Sequence, residues 1–130
     1  MDALDRMRTI CLDLPQTYEE PAWIGTRWCV RKKNFAHLVQ VGDGWTPVFQ
    51  KWFDSAEPRT VVTYRLPYEE IEALCATSDS HVRLPWAPNL VGTVLDTGTD
   101  WVELAESITE SYRIQAPAKL VRLLGESVTD

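Results

Sequence analysis

Apolar residues at Leu4, Met7, Ile10, Cys11 and Leu14 recur three and four apart, the spacing of one helix face, and Pro15 follows. The spacing predicts an amphipathic helix over about Ala3 to Leu14. From Tyr18 to Phe53 the pattern changes to short runs rich in Trp, Val, Phe and Thr, broken by Lys32-Lys33-Asn34 and by Gly42-Asp43-Gly44. Such runs, separated by turn chemistry, predict successive antiparallel strands joined by hairpins. Arg59 to Leu66, with Val61, Val62, Tyr64 and Leu66, predicts a further strand.

Pro67 restarts the chain in a helix through about Ala76, because a proline at the first helical position gives up an N–H that would be unpaired there anyway. Its inner face is Ile71, Leu74 and Cys75. Two short strands are predicted near His81 to Leu84 and Leu90 to Leu95. Asp100 with Glu103 three residues on caps the next helix, whose stripe is Trp101, Leu104, Ala105, Ile108 and Tyr112. Ala116-Pro117 breaks it, Leu120, Leu123 and Leu124 form a last apolar stripe, and Gly125 suits the left-handed position past a helix end. The predicted order is α, several β, α, β, β, α, α: an α+β chain with an antiparallel sheet.

The chain has 130 residues, the commonest size for one domain, with 45% hydrophobic and 25% charged residues. One domain over 1–130 is expected, without repeats or flexible linkers. Neither a leader-like start nor an apolar run of membrane-spanning length occurs, so the expected setting is cytoplasmic, with no membrane partner. Cys11, Cys29 and Cys75 are odd in number and widely spaced, which reads as reduced thiols rather than a disulfide framework.

The formal net charge of −6 disfavours whole-surface binding to nucleic acid or anionic lipid. Its distribution is uneven. Residues 1–65 carry nine Lys or Arg against eight Asp or Glu, whereas residues 66–130 carry four against eleven. A site for an anion therefore belongs in the first half.

Nucleophilic catalysis requires a Ser, Cys or Thr beside a base, and only His37 and His81 could serve as imidazole bases. His37 shares one alternating face of a strand with Phe35 and Val39 and reads as a packed or edge residue; His81 reads as an ordinary surface one. No metal motif is present. Glu19-Glu20 and Glu69-Glu70 are adjacent pairs whose side chains diverge in a strand or helix. Gly42-x-Gly44 lacks the remainder of a phosphate loop. No catalytic group, metal or cofactor is expected from these residues.

Two features stand out. Six tryptophans occur, Trp23, Trp28, Trp45, Trp52, Trp86 and Trp101, and beyond Trp101 several are expected to line a half-buried groove. Arg27, Arg31, Lys32 and Lys33 gather on one strand and its turn beside Trp28 and Phe35, the one basic cluster in the chain. A basic hairpin tip with aromatic neighbours can track phosphates and stack a base.

Glu19-Glu20-Pro21-x-Trp23, Val30-Arg31-x-Lys33-x-Phe35-Ala36, Asp100-Trp101 through Glu110-Ser111-Tyr112, and Ala116-Pro117-x-Lys119-Leu120 together resemble the MmcQ/YjbR-like family. The resemblance spans nearly the whole chain. It implies a CyaY-like α+β fold, an antiparallel sheet with helices packed on one side, and a DNA-binding label based on a proposed double-wing arrangement, with no reaction or cofactor. The matched residues are Glu20, Pro21, Trp23, Arg31, Lys33, Phe35, Ser111 and Tyr112; His81 to Pro88 departs from the family pattern.

Three binding hypotheses follow. The first is a non-enzymatic module for nucleic acid, with Arg27, Arg31, Lys32 and Lys33 on phosphates and Trp28 as a stacking platform. The second is a groove for a small molecule or peptide formed by Glu19, Glu20, Trp23, Phe35 and Tyr112. The third places iron on Asp2, Asp5 and Asp13, an acidic edge that Arg6 and Arg8 interrupt.

Overall fold

The computed structural model of the chain describes residues 2–22, 24–41 and 59–128, with side chains through residue 40 of the second stretch and residue 124 of the third. The first helix, α1 (Ala3–Leu12), starts where the Asp2 carboxylate accepts the Asp5 N–H at 2.8 Å. Three antiparallel strands follow, β1 (Thr17–Pro21), β2 (Thr26–Val30) and β3 (Lys33–Val41), then β4 (Arg59–Arg65). Helix α2 (Tyr68–Thr77) leads to β5 (His81–Arg83) and β6 (Leu90–Leu95). Helices α3 (Trp101–Gln115) and α4 (Ala118–Val128) complete the described chain. The predicted turn at Gly42-Asp43-Gly44 lies outside the described residues.

The six strands form one sheet in the order β1-β2-β3-β4-β6-β5, every neighbouring pair antiparallel. Strands β4 and β5 therefore run parallel on either side of β6, and α2 crosses between them, since a parallel return needs a crossover rather than a tight turn. All four helices lie on one face of the sheet: Met7 and Cys11 of α1, Ile71 of α2, Leu104, Ile108 and Tyr112 of α3, and Leu120 of α4 join Trp28, Val62, Tyr64 and Val91 in one buried cluster. Alternation along each strand sends the intervening residues to the other face. There, Val39 and Val61 pack with Leu84, just past β5, and Leu90, the first residue of β6.

Two local expectations are corrected. Gly125 lies inside α4, which runs on to Val128, because the stripe of Leu120, Leu123 and Leu124 continues the helix instead of ending it. The turn between β2 and β3 is Arg31-Lys32, with Val30 paired to Lys33, rather than Lys32-Lys33-Asn34. No helix among the described residues is long and apolar enough to cross a membrane.

Candidate functional site

At the β2–β3 hairpin both turn residues are left-handed, Arg31 at φ 50° and Lys32 at φ 69°. A two-residue loop with positive φ at both positions is the mirror-image turn whose twist suits antiparallel strands, and Asn-Gly normally occupies it. Here two cations do, at a cost of about 1 kcal/mol each. Arg31, Lys32 and Lys33 are exposed, and among the described residues no carboxylate lies within ion-pair distance of them. Among the described residues the Arg31 guanidinium makes one hydrogen bond, to the Gln16 side-chain oxygen at 3.3 Å.

The remainder of the predicted nucleic-acid site does not assemble. Arg27 is neutralised by Glu20 at 2.6 Å on the strand away from the tip. Trp28 is fully buried in the core and offers no face to a base. The exposed aromatic beside the tip is Tyr18, whose hydroxyl sits against the Lys32 backbone. Its signal in the sequence was only its position opposite Cys29 on the neighbouring strand.

The predicted ligand groove is also taken apart. Glu19 faces the helices, accepting from Nε and Nη2 of Arg8 at 2.9 and 3.0 Å and from the Trp28 indole N–H at 2.9 Å. The Arg8 guanidinium, opposed by partial burial, holds the Glu19 carboxyl below its ordinary range. Glu20 points to the opposite face, toward Arg27 and the Cys29 thiol. Phe35 and Tyr112 are buried, packed edge to face at 5.5 Å. Trp23, Trp45 and Trp52 lie outside the described residues. Trp28, Trp86 and Trp101 sit in separate places: the core, the β5–β6 connection and the α1–α3 contact, where Arg6 lies 5.2 Å over the Trp101 ring.

Phe35 faces the core because it is an extra residue. Consecutive Trp28 and Cys29 oppose Ala36 and Asn34, so Phe35 bulges, and both it and Ala36 enter the helix-side cluster. The β3–β4 ladder ends at Ala36 and Tyr64, leaving Phe35 and Arg65 without a direct bond. Buried Ser111 inserts its hydroxyl there, donating to the Phe35 carbonyl at 2.6 Å and accepting the Arg65 N–H at 2.7 Å. One turn on, Gln115 donates to the Asn34 carbonyl, and the Tyr112 hydroxyl to that of Pro15. Ser111 and Tyr112 thus hold α3 onto the bulge.

A different place brings polar groups together around open space. Where the end of α2, the β5–β6 edge and the start of α3 meet, a cleft of about 260 Å³ is lined by Tyr64, Ser80, His81, Thr93, Glu103 and Ser107, with Leu74 and Leu104 as apolar wall. His81 and Thr93 are directly paired across β5 and β6, and Tyr64 stands two residues along β4 from Val62, the partner of Thr93 on that strand. The Thr93 hydroxyl lies 2.8 Å from the Tyr64 hydroxyl and 2.9 Å from His81 Nδ1.

The direction of this chain follows from its donors. Tyr64 is almost wholly buried, and its hydroxyl has no other acceptor among the described residues. If Thr93 donated to Tyr64, the phenol proton would be buried unpaired, a cost of about 1–3 kcal/mol. Tyr64 therefore donates to Thr93, and the Thr93 hydroxyl in turn bonds His81 Nδ1. Burial pushes the Tyr64 phenol up to about 12 and lowers the His81 imidazole, with the Glu103 carboxylate raising the latter in part. Both groups are neutral near pH 7. His81, expected as an ordinary surface residue, is thus part of a cleft wall; its place on a short strand after a helix was the only sequence signal.

Among the described residues no three His, Cys, Asp or Glu side chains converge as a metal site. Asp2 is a helix cap, and Asp5 faces Arg8 at 3.8 Å.

Comparison with known proteins agrees with this architecture. No curated protein matches the chain. A solved structure of a Pseudomonas syringae protein, a structural-genomics target, superposes with a TM-score of 0.69 at 10% identity, covering 88% of this chain and 99% of that one. A Deinococcus radiodurans protein with a DUF419 domain gives a TM-score of 0.57 at 16% identity, covering 88% and 78%. At such identities the likeness establishes the fold. The YjbR family profile matches residues 12–114, from the last residue of α1 into α3, and so takes in the whole sheet, the bulge and the serine that closes it. On that match the chain belongs to the YjbR family.

Proposed function

We propose that this chain is a binding module for small polar molecules, with its site in the cleft between α2, the β5–β6 edge and the start of α3. The observation that carries this reading is the Tyr64–Thr93–His81 chain in the cleft wall. A hydrogen-bonded chain of two hydroxyls and a neutral imidazole presents fixed polar groups to the cleft, and small-molecule sites combine a few such groups with apolar walls. Three unpaired thiols, Cys11, Cys29 and Cys75, suit the reducing cytoplasm as its setting. Amide shift mapping of the ¹⁵N-labelled chain against a library of small polar fragments tests the reading. Shifts grouped at His81, Thr93 and Ser107 are expected; shifts confined to other faces would contradict it.

The second reading is the DNA-binding one, and Arg31, Lys32 and Lys33 favour it as exposed cations without carboxylate partners among the described residues. With Arg27 neutralised and Trp28 buried, three phosphate contacts remain, with Tyr18 as the neighbouring aromatic. Affinity for a duplex would then fall with salt at a log–log slope of roughly −3. A slope near zero, or binding unchanged when all three become alanine, would remove this reading. A peptide would need a longer open groove than the cleft supplies.

A further inference from the structure

We infer that the cleft selects a small organic ammonium ion, with Glu103 as the counter-charge; this rests on the small-molecule reading above. The lining holds three carboxylates, Asp96, Asp100 and Glu103, and no Lys or Arg. Two of the three are engaged by backbone: Asp96 accepts the Gly98 N–H and Asp100 the Glu103 N–H, at 2.8 and 3.0 Å. The Glu103 carboxylate has no partner among the described residues, yet it acts on both ends of the hydroxyl row, raising the Tyr64 phenol and the His81 imidazole. It therefore stands at the same cavity as that row. The start of α3 contributes only about half a positive charge, which Asp100 at the cap and Glu103 in the first turn outweigh.

The imidazole and the wall narrow the ligand further. Burial keeps His81 uncharged, so it does not repel a cation, and its Nε2 makes no hydrogen bond to the described residues. Leu74 and Leu104 supply apolar contact for a short hydrocarbon body. At about 260 Å³ the cleft admits a small molecule rather than a polymer. An anion of the same size would face carboxylates with no compensating cation.

The test is a charge-matched series on the full chain: benzylammonium, benzyl alcohol and benzoate, followed by titration calorimetry and amide shifts, with the wild type and Glu103→Gln. Benzylammonium is expected to shift the Thr93 and Ser107 amides and to bind best of the three. Glu103→Gln should weaken it about five-fold, the scale of one exposed ion pair, and leave benzyl alcohol unchanged. Because Glu103 is exposed, the variant is expected to keep the wild-type amide spectrum. Benzoate or benzyl alcohol binding in the cleft as tightly as benzylammonium, or an unaltered affinity in Glu103→Gln, would overturn the ammonium assignment while leaving the small-molecule reading in place. No shift in the cleft from any of the three up to about 10 mM would overturn both.

Discussion

Ser111 and Glu19 show how a single side chain can carry a stretch of fold. Each satisfies two partners at once: Ser111 the Phe35 carbonyl and the Arg65 N–H, Glu19 the exposed Arg8 guanidinium and the buried Trp28 indole. Ser111→Ala would leave two main-chain groups unpaired beside the bulge, and chemical denaturation is expected to show a loss of about 2 kcal/mol. Gly25 is held by space as well as conformation. Its φ is 77°, and a Cβ there would stand 2.0 Å from the Leu38 carbonyl oxygen. Gly25→Ala is therefore expected to lower the melting temperature more than Ser111→Ala does. None of these roles could be read from spacing, because each partner lies on another element; Ser111 and Phe35 are 76 residues apart.

Among the elements, helices were the legible part. Apolar stripes and the Asp100 cap located α1, α2 and α3 to within about two residues, since a helix face and its cap are local patterns. The β2–β3 turn was misplaced by one residue for a physical reason: its left-handed positions hold Arg31 and Lys32, which carry no turn signal. Substituting Asn at 31 and Gly at 32 should relieve that conformation and stabilise the chain by about 1–2 kcal/mol, measurable as a higher denaturation midpoint. The bulge misled in a similar way. Strict alternation sends Phe35 and Ala36 to opposite faces, whereas one extra residue lets both enter the core. Phe35, expected in the ligand groove, is for this reason core, with Tyr112 packed on it, and the cleft, drawn from β4, β5, β6, α2 and α3, had no contiguous trace in the sequence.

Across the whole molecule, charge separates the two candidate surfaces. Arg31, Lys32 and Lys33 sit at the hairpin of β2 and β3, and the carboxylate-lined cleft lies toward the other edge of the sheet, by β5 and the start of α3. The two should respond oppositely to ligand charge. Acid also acts on the fold. Burial lowers the imidazoles of both His37 and His81, so each favours the folded state above the ordinary histidine value of about 6.5. That contribution is lost as pH falls through their lowered folded values. Glu19 has the same sign, its carboxyl lowered by Arg8, but acts in the carboxylate range well below. Denaturation midpoints are therefore expected to decline first below about pH 6.5, and replacing both histidines by glutamine should flatten that step.

The most direct measurement is a crystal structure of the chain soaked with benzylammonium. Difference density inside the cleft, between the Glu103 carboxylate and the His81 ring, is the result expected. Ligand density elsewhere, with the cleft holding only solvent, would contradict the account.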